Sequence, residues 1–128
     1  MLDPFVKGKL ANMHAAIGDA YQGLGVFDEA VTEYRKALAM CPQFADLRTK
    51  LATTLRDMGQ RENALAEFEV AKRTNPRYIP ARIHLGVTLF SLGRIAEAAQ
   101  EWESVIAEDP TNKSCQMYLS LVHNSSTP

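Results

Sequence analysis

Three histidines, two cysteines and a scatter of carboxylates are the residues of this chain that could do chemistry. Their spacing argues against it. His14, His84 and His123 fall in three separate segments, and no two stand four apart as a helical metal site requires. Cys41 and Cys115 are too few for a disulfide framework. Bringing His84, Cys115 and His123 together around zinc is conceivable only by proximity in the fold, and that reading is set aside. Gly23-Leu24-Gly25 lacks the form of a phosphate-binding loop and reads as the end of a helix. No catalytic residue, cofactor or metal is therefore expected. Glu97, Glu101 and Glu108 fall near one helix face, which reads as solvated or as a contact for a basic partner. Lys72, Arg73, Arg77 and Arg82 gather around one turn, and read as surface charge or as a site for an acidic partner or phosphate. Asn112-Lys113-Ser114 and Asn124-Ser125-Ser126 match glycosylation acceptors, but the start of the chain has no secretory signal, so they read as chance matches.

Composition narrows the remaining classes. The chain has 128 residues, 46% of them hydrophobic, enough for one modest core. Its 14 Lys and Arg nearly cancel 15 Asp and Glu. A general nucleic-acid binder needs a basic excess to displace counterions, so no nucleic acid is expected as partner. No apolar run approaches the ~18 residues of a membrane span, so direct membrane insertion is not expected either. A cytoplasmic protein is the expectation.

The elements that position these residues repeat every 34 positions. Gly25, Gly59 and Gly93 keep that period. So do Ala30, Ala64 and Ala98, the aromatics Tyr34, Phe68 and Trp102, and Pro42, Pro76 and Pro110. A period in this range marks a solenoid. Within each cycle apolar residues recur at helical spacing: Ile17, Ala20, Tyr21 and Leu24 before Gly25, then Phe27, Ala30, Val31, Tyr34, Ala37 and Leu38 before Pro42. Each cycle is thus two helices joined by a tight turn, with Gly in the left-handed conformation and Pro closing the second helix. Gly18, Ala52 and Gly86 lie mid-helix at one phase, where glycine costs roughly 0.5–1 kcal/mol relative to alanine. Close approach of the second helix at Ala30, Ala64 or Ala98 is the expected compensation.

These residues resemble the tetratricopeptide repeat family. Ile17-Gly18, Tyr21, Ala30, Tyr34, Ala37 and Pro42 carry the resemblance in the first repeat. Leu51-Ala52, Leu55, Ala64, Phe68, Ala71 and Pro76 carry it in the second, and Leu85-Gly86, Leu89, Ala98, Trp102 and Pro110 in the third. It implies an all-α, right-handed α-solenoid of antiparallel helix pairs. One domain, 1–128, would hold repeats at about 11–44, 45–78 and 79–112 and a capping helix at about 111–124. His14, Arg48 and Arg82 stand where the family often has Trp, and are expected to pack their stems while their heads reach water. Ahead of the first repeat, Asp3 is a good N-cap and Pro4 a good first helical residue. Ser125-Ser126-Thr127-Pro128 reads as a frayed tail.

The family's geometry implies which residues face a concave groove. They are Asn12, Ala15, Ala16, Asp19, Gln22 and Gly23, then Asp46, Thr49, Lys50, Thr53, Arg56 and Asp57, then Pro80, Ile83, His84, Val87, Phe90 and Ser91. The expected partner-binding set is Asp19, Gln22, Thr49, Lys50, Thr53, Arg56, Ile83, His84, Val87 and Phe90. One branch of the family binds the C-terminal carboxylate motif of Hsp70 and Hsp90 through a cationic clamp. The matching places here are Ala15, Asp19, Lys50, Pro80 and His84; only Lys50 could hold an anion, so that motif is not the expected ligand. The resemblance implies a non-catalytic adaptor or scaffold binding a peptide or helix of a partner protein. The alternative is a self-associating assembly protein, a homo-oligomer using Met117, Tyr118 and Leu121 or the N-terminal Phe5 and Leu10.

Overall fold

A computed structural model describes residues 1–125. Among them are seven α-helices and no strand: α1 (Pro4–Gly23), α2 (Phe27–Met40), α3 (Ala45–Asp57), α4 (Arg61–Thr74), α5 (Ile79–Ser91), α6 (Ile95–Glu108) and α7 (Lys113–Ser125). Each helix packs on the next in order, and α3 also touches α5, so the chain stacks as an α-solenoid of antiparallel helix pairs. Asp3 caps α1, its Oδ1 accepting from the Phe5 amide at 2.7 Å. Ser125 is the last helical residue of α7; the rest of the expected tail, 126–128, lies outside the described residues.

The three turn glycines show why the period is kept. Gly25, Gly59 and Gly93 have φ of 75°, 83° and 80°, a region other residues enter only with strain. Each closes the same double hydrogen bond. The Gly25 amide donates to Gln22 O and the Val26 amide to Tyr21 O, and the pairs at Gly59 and Gly93 repeat this.

Inside the stack the mid-helix glycines meet rings, which corrects the expected contact between small residues. A Cβ on Gly18 would lie 2.7 Å from the Tyr34 ring, and one on Gly86 would lie 2.4 Å from Trp102 Nε1. The middle repeat carries the smaller Phe68 and an alanine, Ala52, at the same phase, and both are fully buried. Ring size on the second helix thus sets what the first helix can carry.

One further expectation about charge is corrected. Arg82 does not reach water: its side chain is 6% exposed and its guanidinium donates to Glu108 Oε2 at 2.7 Å, Ser104 Oγ at 2.9 Å and Pro76 O at 3.2 Å. Arg48 donates to Glu67 at 2.8 Å, and His14 meets Glu33 at 2.7 Å. At one phase of every repeat, a basic group on the first helix is therefore pinned to a carboxylate on the second. The acidic face of α6 stays solvated at Glu97 and Glu108, which are 52% and 58% exposed, although each carboxylate has a basic partner within the chain. Lys72 holds Glu101 at 2.6 Å, Arg94 holds Glu97 at 2.7 Å, and Glu108 belongs to Arg82.

Candidate functional site in the concave groove

The first helices α1, α3 and α5, with α7, form one wall, and two hollows open along it. The first, about 280 Å³, is lined by Asp19, Gln22, Asp46, Thr49, Lys50, Thr53 and His84, with Tyr34, Thr54, Tyr78 and Pro80. The second, about 130 Å³, has only apolar lining, from Val87, Phe90, Trp102, Tyr118 and Leu121. Of the expected set, Arg56 and Ile83 line neither; Ile83 is half-buried, and its carbonyl accepts from Trp102 Nε1 at 3.3 Å. Met117 is exposed on α7 away from both.

Two of the charges in the first hollow, Asp19 and Lys50, are paired with each other. The Asp19 carboxylate accepts from Tyr34 OH at 2.6 Å and from Lys50 Nζ at 2.8 Å. Burial and the neighbouring Asp19 both push the Tyr34 phenol well above its usual range, so it stays a donor. Lys50, expected as the free cation of the groove, is thus half neutralised. Gln22 donates to Asp57 at 3.1 Å. Thr49 is buried and donates to Ala45 O at 2.8 Å, and Thr53 donates to Thr49 O at 2.8 Å, which leaves both as weak contributors to recognition.

Arg56 is placed differently. It sits on α3 and lines neither hollow; it is half-buried, with Nη2 donating to His84 Nδ1 at 3.2 Å and Nη1 to Thr88 Oγ1 at 3.5 Å. Its guanidinium lies 5.6 Å from the centre of the Phe68 ring, and His84 stacks on that same ring at 5.7 Å. Among the described residues Arg56 makes no ion pair with a carboxylate, and burial pulls its pKa below the usual value. Burial first, and Arg56 second, also lower the pKa of His84. A neutral His84 can accept at Nδ1, which is the geometry observed.

That shift has a measurable sign. Below about 6.5 the unfolded chain protonates this imidazole while the folded chain resists. Stability should therefore fall as pH drops through the ordinary imidazole range and on toward the lowered folded value. In His84→Gln the loss of melting temperature between neutral pH and pH of about 5.5 should be smaller than in wild type; an unchanged loss would assign the acid sensitivity to other groups.

The floor of the apolar hollow comes from residues that look purely architectural in sequence. Trp102 is 2% exposed and stacks on Tyr118 at 4.9 Å, with Phe90 tilted against it at 6.3 Å. Tyr34 is the same kind of omission: a pattern aromatic whose hydroxyl end must find a partner when buried, and it finds one in the groove. Tyr78 and Pro80 precede and open α5 and turn inward from the inter-repeat turn. Their signal was available in the phase of Pro80, which stands at a groove place. α7 covers the end of the stack with Cys115 fully buried and Tyr118, Leu119 and Val122 half-buried, and keeps Met117 and Leu121 at 53% exposure.

Among the described residues no helix is long and apolar enough to cross a membrane, and no three His, Cys, Asp or Glu side chains cluster as metal ligands. No curated protein matches the sequence. Among solved structures, the chain is similar to the first TPR domain of Spaghetti (RPAP3), bound to the HSP90 peptide SRMEEVD. The TM-score is 0.86 at 24% identity, over 92% of this chain and 94% of that one. The TPR domain of Arabidopsis OM64 gives a TM-score of 0.86 at 18% identity, over 93% and 98%. The second TPR domain of human RPAP3, in complex with the HSP70 peptide SGPTIEEVD, gives 0.82 at 22%, over 94% and 98%. At these identities the likeness is one of fold. A family model described as TPR repeat matches residues 18–59, and one described as tetratricopeptide repeat matches residues 49–113. With half the sequence matched by a single model and the helix pairs stacked as the period requires, the chain belongs to the tetratricopeptide repeat family.

Proposed function

We propose that the chain is a non-catalytic recognition module, an adaptor or scaffold, whose groove holds a segment of another protein bearing an apolar anchor and a carboxylate. The observation that carries this reading is Arg56. A half-buried guanidinium that makes no ion pair with a carboxylate among the described residues donates to His84, which itself lines the first hollow. A ligand lying in the groove beside His84 would supply that guanidinium with an anion through a charge-assisted hydrogen bond. The anchor side chain would then fill the space above Trp102 and Tyr118. Two structural neighbours are described as bound to chaperone peptides, but that motif is not the ligand in this reading. Of Ala15, Asp19, Lys50, Pro80 and His84, only Lys50 is a lasting cation, and Asp19 holds it.

Selection from a displayed random-peptide library tests the proposal. Enriched peptides should combine Asp, Glu or a free C-terminal carboxylate with Leu, Phe, Tyr or Trp. Arg56→Gln and Phe90→Ala should each weaken such a peptide by about 10-fold or more with helix content unchanged. Enrichment without that combination, or wild-type affinity in both variants, would move recognition away from the groove.

A further inference from the structure

α1 carries a second apolar surface, on the side away from the stack. Val6, Leu10, Met13, Ile17, Ala20 and Leu24 follow one another at spacings of four, three, four, three and four, the alternation of a coiled-coil seam. The repeats provide an internal control for it. Thirty-four residues on, Leu47, Leu51 and Thr54 occupy the phase of Met13, Ile17 and Ala20, and a period later come Ala81, Leu85 and Thr88. All six are between 0% and 3% exposed, because each pair stacks on the one before it. In α1 that layer is uncovered: Met13 is 48% exposed, Ile17 39%, and Ala20 is exposed as well.

We propose that a second copy of this chain covers this face, its α1 lying antiparallel to the first about a two-fold axis near residue 15. The seam is self-complementary in that direction. Val6 then faces the partner's Leu24, Leu10 the partner's Ala20, and Met13 the partner's Ile17, so large residues meet smaller ones or each other along the whole length. Charge selects the same direction. Lys7 and Lys9 sit in the N-terminal half of α1, which has no acidic residue in its first turn and no basic residue in its last. A parallel pair would bring four lysines together at the positive ends of both helix dipoles. The antiparallel pair sets Lys9 beside the partner's Gly23, at the negative end of the partner's helix. His14 of each copy flanks the axis, already matched by Glu33 at 2.7 Å. Small residues at Ala16 and Gly23 border the seam and allow close approach. The contact is confined to one helix face, which places it at the small end of interface sizes and makes the dimer concentration-dependent. Asp19 and Gln22, the α1 residues that line the first hollow, are not in the seam, so the hollow would stay open in both copies and the pair would be bivalent.

Sedimentation of the full chain over a wide concentration range tests this. A reversible monomer–dimer equilibrium is expected. Ile17→Glu should raise its dissociation constant by about 100-fold or more, since each dimer would bury two carboxylates. Ile17 is partly exposed, so the fold should survive, and an unchanged melting curve at low concentration verifies that. Met13→Glu should act in the same way, while Met117→Glu on α7 should leave the equilibrium alone. Spin labels on Ala16→Cys and Lys9→Cys fix the direction; the native Cys41 and Cys115 are buried. The labels at 16 should be in near contact and those at 9 roughly 20 Å apart along the axis, at 1.5 Å per residue. A monomer at every concentration, a dimer that survives Ile17→Glu, or near contact at both label sites would overturn the proposal. None of these outcomes bears on peptide binding in the groove.

Discussion

Gly86→Ala should destabilise the protein, although alanine is the better helix former. Propensity favours the substitution by about 1 kcal/mol. Against it stands a new Cβ only 2.4 Å from Trp102 Nε1. That ring cannot easily retreat, since its Nε1 donates to Ile83 O and its face stacks on Tyr118. Overpacking of this kind costs roughly 1–3 kcal/mol, so steric strain should win and the melting temperature should fall by several degrees. Gly8→Ala is the control: nothing lies within 4 Å of its Cβ, and the helix should gain about 0.5–1 kcal/mol. Trp102→Phe in the Gly86→Ala background recreates the Ala52 and Phe68 arrangement of the middle repeat. A double-mutant cycle should then show the penalty of Gly86→Ala shrinking when the smaller ring is present. If Gly86→Ala raises the melting temperature as Gly8→Ala does, the ring does not constrain the glycine.

The second large effect is an asymmetry within one ion pair. Glu108→Ala should cost about 1–3 kcal/mol, because it leaves a buried guanidinium with only Ser104 Oγ and Pro76 O as acceptors. Arg82 Nε already has no partner among the described residues. Arg82→Met should be close to neutral or mildly stabilising. It keeps the packed stem, removes the buried ion, and leaves Glu108, which is 58% exposed, free to hydrate. Chemical denaturation of the two single variants decides the matter. Equal losses would mean that the pair acts as a mutual support and that burial of the cation carries no penalty.

Both predictions depend on knowing which second-helix residue faces which first-helix residue, and that was only partly legible beforehand. The phase of Gly86 and Trp102 could be read from the period, but not their contact, since an alanine at the neighbouring phase offered an equally plausible partner. The roles of Arg48 and Arg82 were misread for a similar reason. A long basic side chain at an amphipathic place ordinarily sends its head to water, and only the positions of Glu67 and Glu108 on the facing helix reverse that. Of the expected groove residues, Asp19, Gln22, Thr49, Lys50, Thr53 and His84 line one hollow and Val87 and Phe90 the other, while Arg56 and Ile83 line neither. The pairing of Lys50 with Asp19 joins residues 31 positions apart on different helices, and no local rule couples them.

The sequence by itself determined the helix pairs, their turns and their stacking. Those depend on short-range constraints: the φ of one glycine, the missing amide of one proline, and apolar residues spaced to one helical face. Tertiary structure alone decided which charges are neutralised and which remain to act. Ion pairing depends on distances of a few ångströms between helices, and the repeat fixes the helices' order but not the rotamers of their long side chains. That is why Lys50, the cation most visible in the sequence, is paired with Asp19, while Arg56 on the same helix makes no ion pair with a carboxylate among the described residues.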